Sequence, residues 1–230
     1  MQKDILGQDS YELTLPTPFL LQDTAGEPVQ LDQSRLFDIV GSLFLLVLLA
    51  PLLLLITALV FIVDPGPIFF AHRRLGHGGH EFPCLKFRTM VVDAEARLTD
   101  LLERDPAARR EWARDHKLRD DPRITAIGGL LRTLSLDELP QLLNVLRGEM
   151  SLVGPRPIVR GEVYRYGRYF AYYCQVRPGI TGLWQVSGRN DVSYRRRVAL
   201  DVRYARSKSL ALDLWIIART VTCIVQGSGY

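Results

Sequence analysis

The chain has 230 residues, of which 47% are apolar and 23% charged, and its formal net charge is +4. This length suits one domain with a sizeable core, and the mild positive charge favours anionic partners such as phosphates while giving little support to nucleic-acid binding. Three widely spaced cysteines, Cys84, Cys174 and Cys223, form no C-x-x-C pair. Their spacing argues against a disulfide framework or a thiolate metal site and favours a reducing, cytoplasmic setting for most of the chain.

Residues 1–34 form an acid-rich polar stretch with scattered prolines, which predicts a mobile N-terminal tail. The stretch that follows, residues 39–63 or "IVGSLFLLVLLAPLLLLITALVFIV", has 25 residues and no charge. As a helix it would measure about 37 Å, against a bilayer hydrocarbon core of roughly 30 Å. The sequence therefore predicts insertion into a membrane.

Pro51 lies in the middle of this apolar stretch and predicts a kink or a sharp bend. Two topologies are compatible with it, a kinked span and a re-entrant hairpin that leaves through the leaflet it entered. Cations flank the stretch on both sides, with Arg35 before it and Arg73 and Arg74 after it. That distribution fits a hairpin with both ends in the cytoplasm, but the residues alone leave the choice open.

The rest of the chain shows alternating signals for strands, helices and turns. Residues 68–90 predict two strands around a Gly-rich turn, and the charged region after them predicts helix broken at Pro106. The segment "GEMSLVGPRP" predicts a loop, "VRPGITGLWQVSGRN" a strand and turn, and residues 193–207 a basic helix. The final apolar stretch holds Asp213 and Arg219 and predicts a core or interfacial helix.

The segment "LSLDELPQLLNVLRGEM" places two carboxylates next to a proline. Its leucines recur at nearly helical spacing, and Pro140 is tolerated only in a first turn, so we expect a helix that begins at about Asp137 or Glu138. Ser135 and Glu138 also match the S-x-x-E capping box. The segment by itself favours helix capping over catalysis, although the two roles are compatible.

Arg156 is the most unusual of the cations, because Pro155 and Pro157 restrict the backbone on both sides of it. Such a rigid setting suits a guanidinium that is aimed at an oxyanion. Other cations follow a predicted strand, precede the acidic pair or follow a Ser-Gly turn. The candidates for binding phosphate or nucleotide oxygens are Lys86, Arg88, Arg132, Arg156 and Arg189.

Three motifs occur in order after the apolar stretch: "KFRTM", "LRTLSLDELPQLLNVLRGEMSLVGPRP" and "RPGITGLWQVSGRN". With them, the chain from about Arg35 onward resembles the bacterial sugar transferase family. The likeness is greatest to the small monotopic polyprenyl-phosphate phosphoglycosyl transferases that initiate exopolysaccharide assembly. Two departures are the Ala50–Pro51 pair, where the family often has Ser-Pro, and "RSKSLALDL" in place of an aromatic-rich stretch near the C-terminus.

The resemblance implies a mixed α/β, helix-rich, membrane-associated fold with small sheet elements. Residues 35–64 would form a re-entrant hairpin bent at Pro51, and residues 65–230 a cytoplasmic catalytic domain with interfacial C-terminal helices. The location implied is the cytoplasmic face of the bacterial inner membrane. A homodimer is compatible with the family, and no nucleic-acid partner is expected.

The resemblance also implies that a sugar-1-phosphate passes from a UDP-sugar to undecaprenyl phosphate, releasing UMP, through a covalent intermediate on Asp137. Mg²⁺ would be the cofactor, bound by Glu138 and Asp137. The chemistry requires such cations, because two unit charges about 4 Å apart repel by about 4 kcal/mol at an effective dielectric of 20. We also expect the N-terminus of the predicted helix to lower the pKa of Asp137 and keep it ionised.

The expected sugar is glucose or galactose, while an N-acetylated or bacillosamine-type sugar remains an alternative. A first rival function is a non-catalytic, membrane-anchored scaffold of a polysaccharide assembly complex, for which Asp137→Asn would leave function intact. A second rival is the same fold acting on another lipid or nucleotide sugar. A nucleic-acid binder is disfavoured by the apolar stretch and by the lack of a recognisable nucleic-acid module.

Overall fold

The computed structural model describes residues 33–115, 117–188 and 192–225, so the predicted tail lies almost entirely outside the described residues. The fold is mixed α/β and rich in helix, with two small two-stranded sheets, as predicted. In chain order the elements are α1 (Gln33–Leu48), α2 (Ala50–Val63), β1 (Phe69–Leu75), β2 (Glu81–Phe87), α3 (Ala94–Arg104), α4 (Pro106–Asp115), α5 (Ala126–Thr133), α6 (Gln141–Arg147), β3 (Ser151–Val153), α7 (Val163–Tyr166), α8 (Phe170–Cys174), β4 (Gly179–Thr181), α9 (Tyr194–Ser207) and α10 (Leu210–Val225).

The apolar stretch forms two helices, α1 and α2, that meet at a bend of 64°. Pro51 lies in the first turn of α2, where its missing N–H leaves no helical hydrogen bond unmade, so the predicted bend at this proline is confirmed. Among the described residues, no single helix is both long and apolar enough to cross a bilayer, and α1 and α2 meet that criterion only as a bent pair.

One face of α1 packs against the rest of the protein through polar residues. Arg35, Asp38 and Ser42 follow one another at helical spacing, and all three are buried. The guanidinium of Arg35 donates to two backbone carbonyls in the last turn of α6, at 2.6 and 2.9 Å. Asp38 accepts hydrogen bonds from the Ser151 hydroxyl at 2.9 Å and from a backbone N–H of β3 at 2.8 Å. The first half of the apolar stretch is therefore tied to α6 and β3.

Strands β1 and β2 pair antiparallel over their full length, from Phe69 opposite Phe87 to Leu75 opposite Glu81. The turn between them uses Gly78 (φ 67°), a left-handed conformation that a glycine adopts without steric cost. The predicted pair of strands around a Gly-rich turn is thus confirmed, and this hairpin carries Lys86 toward the acidic pair.

The second sheet pairs β3 with β4 in parallel, with Ser151 opposite Gly179. Strand β3 lies within "GEMSLVGPRP", for which we predicted only loop, so that prediction was wrong for these three residues. All three residues of β3 are buried, so no alternation of polar and apolar residues marks the strand. Its partner is also distant in sequence, and local patterns do not report such pairings.

The helical predictions further along the chain agree with the structure. The charged region is interrupted at Pro106, which begins α4. The basic helix α9 starts after Ser193, whose hydroxyl accepts a hydrogen bond from the Arg196 N–H. Helix α10 buries Ile216 completely in the main core and leaves Trp215 about half exposed. Through Tyr204 and Ile216, helices α9 and α10 join the buried cluster that also contains Leu152 and Val153 of β3.

Candidate active site

The acidic pair lies in a tight turn rather than at a helix start. Ser135 has a left-handed backbone (φ 56°) and makes no side-chain cap, and a single 3-10 turn spans Leu136–Glu138. Helix α6 begins only at Gln141, after Pro140. The predicted start at Asp137 or Glu138 and the predicted capping box were therefore wrong. The leucine spacing continues through both the 3-10 turn and α6, so periodicity could not separate them.

Lys86 joins the two carboxylates from the neighbouring strand β2. Its ammonium nitrogen is 2.7 Å from Oε1 of Glu138 and 3.4 Å from Oδ2 of Asp137. The three side chains come from segments about 50 residues apart in the chain. The structure thus brings three of the predicted site residues into direct contact.

Asp137 is largely buried, with 8% of the residue exposed. Burial raises the pKa of its carboxyl, and the neighbouring Glu138 charge raises it too, while Lys86 and Arg132 act in the opposite direction; the net shift is upward. The expectation of a pKa lowered by a helix N-terminus was wrong, because α6 begins four residues later. Ionisation of Asp137 therefore depends on the cations beside it.

Asn144 on α6 fixes the position of β2, although we did not predict a role for it from the sequence. It is fully buried, its amide nitrogen donates to the Pro83 carbonyl at 2.8 Å, and its amide oxygen accepts from the Leu85 N–H at 2.9 Å. The two residues that carry these backbone groups lie on either side of Cys84, and the second of them, Leu85, immediately precedes Lys86. A polar residue within the run "LLNVL" of an amphipathic helix was the available signal.

A solvent-open cleft lies beside the acidic pair; Glu138 lines it, whereas Asp137 is not among its lining residues. Arg156 lines it and is exposed, whereas the flanking Pro155 and Pro157 are buried. Arg74, which we did not predict, lies nearby; burial lowers its pKa, and the positive charge of Arg156 adds to that effect. The residues lining the cleft are Arg74, Cys84, Lys86, Glu138, Gln141, Arg156, Pro157, Gly179, Ile180 and Gln185.

The remaining predicted cations do not line this cleft. The Arg88 guanidinium contacts Asp64 at the end of α2, with 3.3 Å between Nη1 and Oδ2, and it also bonds the Asp64 carbonyl. Arg132 donates to the Thr89 hydroxyl at 2.8 Å. Arg189 lies outside the described residues. A phosphate-binding role for these three arginines stays a prediction.

The two carboxylates fit one mode of magnesium binding. Across residues 33–115, 117–188 and 192–225, no three His, Cys, Asp or Glu side chains gather in a way that could hold a metal ion. Mg²⁺ is commonly bound by one or two carboxylates and completes its shell with substrate phosphates and water. Asp137 and Glu138 would supply the carboxylate ligands of such a site. In the structure, the Lys86 ammonium group contacts both of them.

Comparison with known proteins shows which family and which relatives the chain is similar to. The profile of the bacterial sugar transferase family matches residues 30–227. The chain is 49% identical over 213 residues to exopolysaccharide production protein ExoY of Sinorhizobium fredii, covering 91% of this chain and 94% of that protein. It is 49% identical over 195 residues to undecaprenyl-phosphate galactose phosphotransferase of Salmonella typhimurium, covering 85% of this chain and 41% of that protein. It is 41% identical over 202 residues to UDP-glucose:undecaprenyl-phosphate glucose-1-phosphate transferase of Caulobacter vibrioides, covering 84% and 70%.

Proposed function

Because the chain belongs to the bacterial sugar transferase family, we propose that it transfers a hexose-1-phosphate from a UDP-sugar to undecaprenyl phosphate and releases UMP. The family resemblance found in the sequence motifs is confirmed by the comparisons. The Salmonella relative is named for galactose and the Caulobacter relative for glucose, which supports UDP-galactose or UDP-glucose as the donor. The similarity to ExoY supports a place in exopolysaccharide production.

The observation that carries this proposal is the contact of Lys86 with both Asp137 and Glu138 at the edge of a cleft that Arg156 also lines. A carboxylate nucleophile and a diphosphate repel each other, so a site for this reaction needs cations around the carboxylate. Lys86 and Arg156 both line the cleft and supply positive charge there. The arrangement therefore has the parts that phosphoryl transfer to a carboxylate requires.

In the proposed first step, a carboxylate oxygen of Asp137 attacks the sugar-bearing phosphorus of the UDP-sugar. A new P–O bond forms to Asp137 as the P–O bond to the uridine-bearing phosphate breaks, and UMP leaves with that electron pair. In the second step, an oxygen of undecaprenyl phosphate attacks the same phosphorus. The Asp137–phosphorus bond breaks, which regenerates the carboxylate and yields the sugar diphospholipid.

The residues of the cleft have separable tasks in this reaction. Lys86 keeps Asp137 ionised before attack, and Arg156 is positioned to bind phosphate oxygens as charge moves toward the leaving UMP. Bound Mg²⁺ would neutralise diphosphate charge, with Glu138 and Asp137 as its protein ligands. The buried position of Asp137 limits competing attack by water.

The helix pair α1–α2 supports a re-entrant, monotopic attachment to the membrane. Its bend of 64° and the exposed apolar side chains along both helices suit a hairpin that dips into one leaflet. A membrane location also suits the acceptor, which is itself a lipid. We propose that the catalytic cleft lies on the cytoplasmic side, where UDP-sugars are available.

The test is UMP release by the purified full-length protein with Mg²⁺ and undecaprenyl phosphate across a panel of UDP-sugars. Asp137→Asn should lower the rate by about 10³-fold or more, because it removes the nucleophile. The matched control is Asp100→Asn, an exposed residue on α3 that should leave the rate unchanged. Incubation with UDP-sugar alone should release about one UMP per protein and leave a hexose phosphate on Asp137, detectable by peptide mass spectrometry.

Undiminished UMP release by Asp137→Asn would overturn the role of Asp137. No release by the wild type with any donor would favour the non-catalytic scaffold instead. Release with a donor other than UDP-glucose or UDP-galactose would correct the sugar while keeping the reaction.

A further inference from the structure

Thr89 is a buried polar residue after β2 that bonds α5 through both its backbone and its side chain. It is 7% exposed. Its carbonyl accepts a hydrogen bond from the N–H of Thr125, the residue before α5, at 3.1 Å, and its hydroxyl accepts one from Nε of Arg132 at 2.8 Å. Gly128, between these two contacts, passes so close to the Thr89 carbonyl that a Cβ atom at this position would clash with it. The position of Thr89 relative to α5 is therefore closely fixed.

Arg132 connects this contact to the acidic turn. Its carbonyl accepts a hydrogen bond from the Ser135 N–H at 3.1 Å, and the left-handed backbone of Ser135 leads directly into the 3-10 turn that carries Asp137. The positive charge of Arg132 is also close enough to act on the Asp137 carboxyl. The bond to Thr89 uses Nε of the guanidinium and leaves its two terminal nitrogens for other contacts.

The segment that ends at Thr89 also carries Lys86, which contacts both carboxylates of the acidic pair. Between them, Phe87 is 2% exposed and belongs to a buried cluster with Leu131 of α5. Leu136 of the 3-10 turn packs against the same cluster. This short segment therefore contacts the acidic pair through one side chain and the arginine before that pair through another.

We propose that Thr89 is a positioning residue of the reaction, whose hydroxyl holds the Arg132 side chain so that its positive charge faces Asp137 and the phosphoryl group under attack. This assignment rests on the function proposed above. A free arginine side chain samples many rotamers and loses that freedom when it serves one geometry. A buried hydroxyl that already holds Nε restricts the guanidinium before the substrate binds, so Thr89 contributes to the rate of the first step.

Thr89→Val tests this assignment, because valine keeps the branched shape of threonine and removes the hydroxyl. We expect the rate of its UMP burst with UDP-sugar alone to fall about tenfold, while the KM for the UDP-sugar stays within about twofold of the wild type. Thr89→Ser keeps the hydroxyl and should retain most of the rate. The matched control is Thr133→Val, at an exposed threonine whose hydroxyl bonds the Gly129 carbonyl of its own helix, and it should change neither quantity.

A double-mutant cycle with Arg132→Met separates positioning from a purely structural role. Arg132→Met alone should lower the burst rate on the order of 10²-fold, and adding Thr89→Val should lower it by less than about twofold more, because the hydroxyl then has no guanidinium to hold. The burst amplitude reports the folded, active fraction, so a folding defect lowers the amplitude and leaves the rate unchanged. An unchanged burst rate in Thr89→Val, or equal losses from this change with and without Arg132, would overturn the assignment. Absence of a UMP burst in the wild type would instead refute the proposed function, and this assignment with it.

Discussion

In the proposed reaction, the ionisation of the Asp137 carboxyl depends on the charge of Lys86. Burial raises the pKa of Asp137, and the positive charge of Lys86 opposes that rise. A carboxyl group attacks only when ionised, so the acid limb of the activity profile follows the pKa of Asp137. Among single side chains of the site, Lys86 is thus the strongest control on the pH range of the first step.

We predict that Lys86→Met moves the acid limb of the UMP burst to higher pH, because loss of the lysine charge removes the largest effect that opposes the upward shift of the Asp137 pKa by burial and Glu138. At neutral pH the burst rate should fall on the order of 10²-fold. The measurement is the burst rate as a function of pH. Lys86→Arg should restore part of the shift, and Lys117→Met, an exposed lysine, should match the wild type. A uniform loss of rate with the acid limb unmoved would show that Lys86 acts on substrate alone.

At the scale of elements, Asn144 connects α6 to β2 and so relates the acidic turn to Lys86. Replacing it with alanine leaves the Pro83 carbonyl and the Leu85 N–H, in a partly buried region, without these partners. We predict that Asn144→Ala lowers the free energy of unfolding by about 2–4 kcal/mol, and that the UMP burst of the remaining folded protein slows. Denaturant unfolding and single-turnover kinetics measure the two effects.

Glu149→Gln is the control for this variant. The Asn144 amide nitrogen also contacts Glu149, at 2.6 Å from Oε2, and the glutamine variant leaves both bonds to β2 in place. It should therefore cost less stability than Asn144→Ala. Equal losses in the two variants would show that the bond to Glu149, and not the bonds to β2, is what stabilises α6.

Elements with local signals were predictable, and those defined by distant partners were not. The β1–β2 hairpin is marked by its Gly-rich turn, and the break before α4 by Pro106, so both could be read from adjacent residues. Strand β3 depends on β4, which lies nearly 30 residues away, and the true start of α6 depends on the left-handed turn at Ser135. No nearby residue reports either feature.

The candidate site shows the same division. The acidic pair and the proline-flanked Arg156 are conspicuous in the sequence, and the structure places Glu138, Lys86 and Arg156 around one cleft. Arg74 and Gln185 line that cleft without any distinctive sequence context. They reach it through β1 and through the turn after β4, and tertiary packing alone brings these segments together.

At the scale of the whole molecule, helix α1 of the bent pair shares a buried polar interface with α6 and β3. Arg35 bonds two carbonyls at the C-terminus of α6, where a cation also complements the helix dipole. Asp38 bonds β3 at the same interface. Helix α1 therefore anchors α6, the helix that follows the acidic pair, and strand β3.

We predict that Arg35→Met lowers the free energy of unfolding by about 2–4 kcal/mol, because one buried and one partly buried carbonyl lose a charged donor. Arg35→Lys should recover only part of this loss, since an ammonium lacks the planar fork that reaches both carbonyls. Denaturant unfolding in detergent measures stability, and co-flotation with lipid vesicles measures membrane attachment. Flotation should be the same in all variants, and Arg97→Met, at an exposed ion pair on α3, should match the wild type in both assays. If Arg35→Met instead kept full stability and lost flotation, Arg35 would serve as a headgroup contact, and the coupling between hairpin and α6 would have to reside in Asp38.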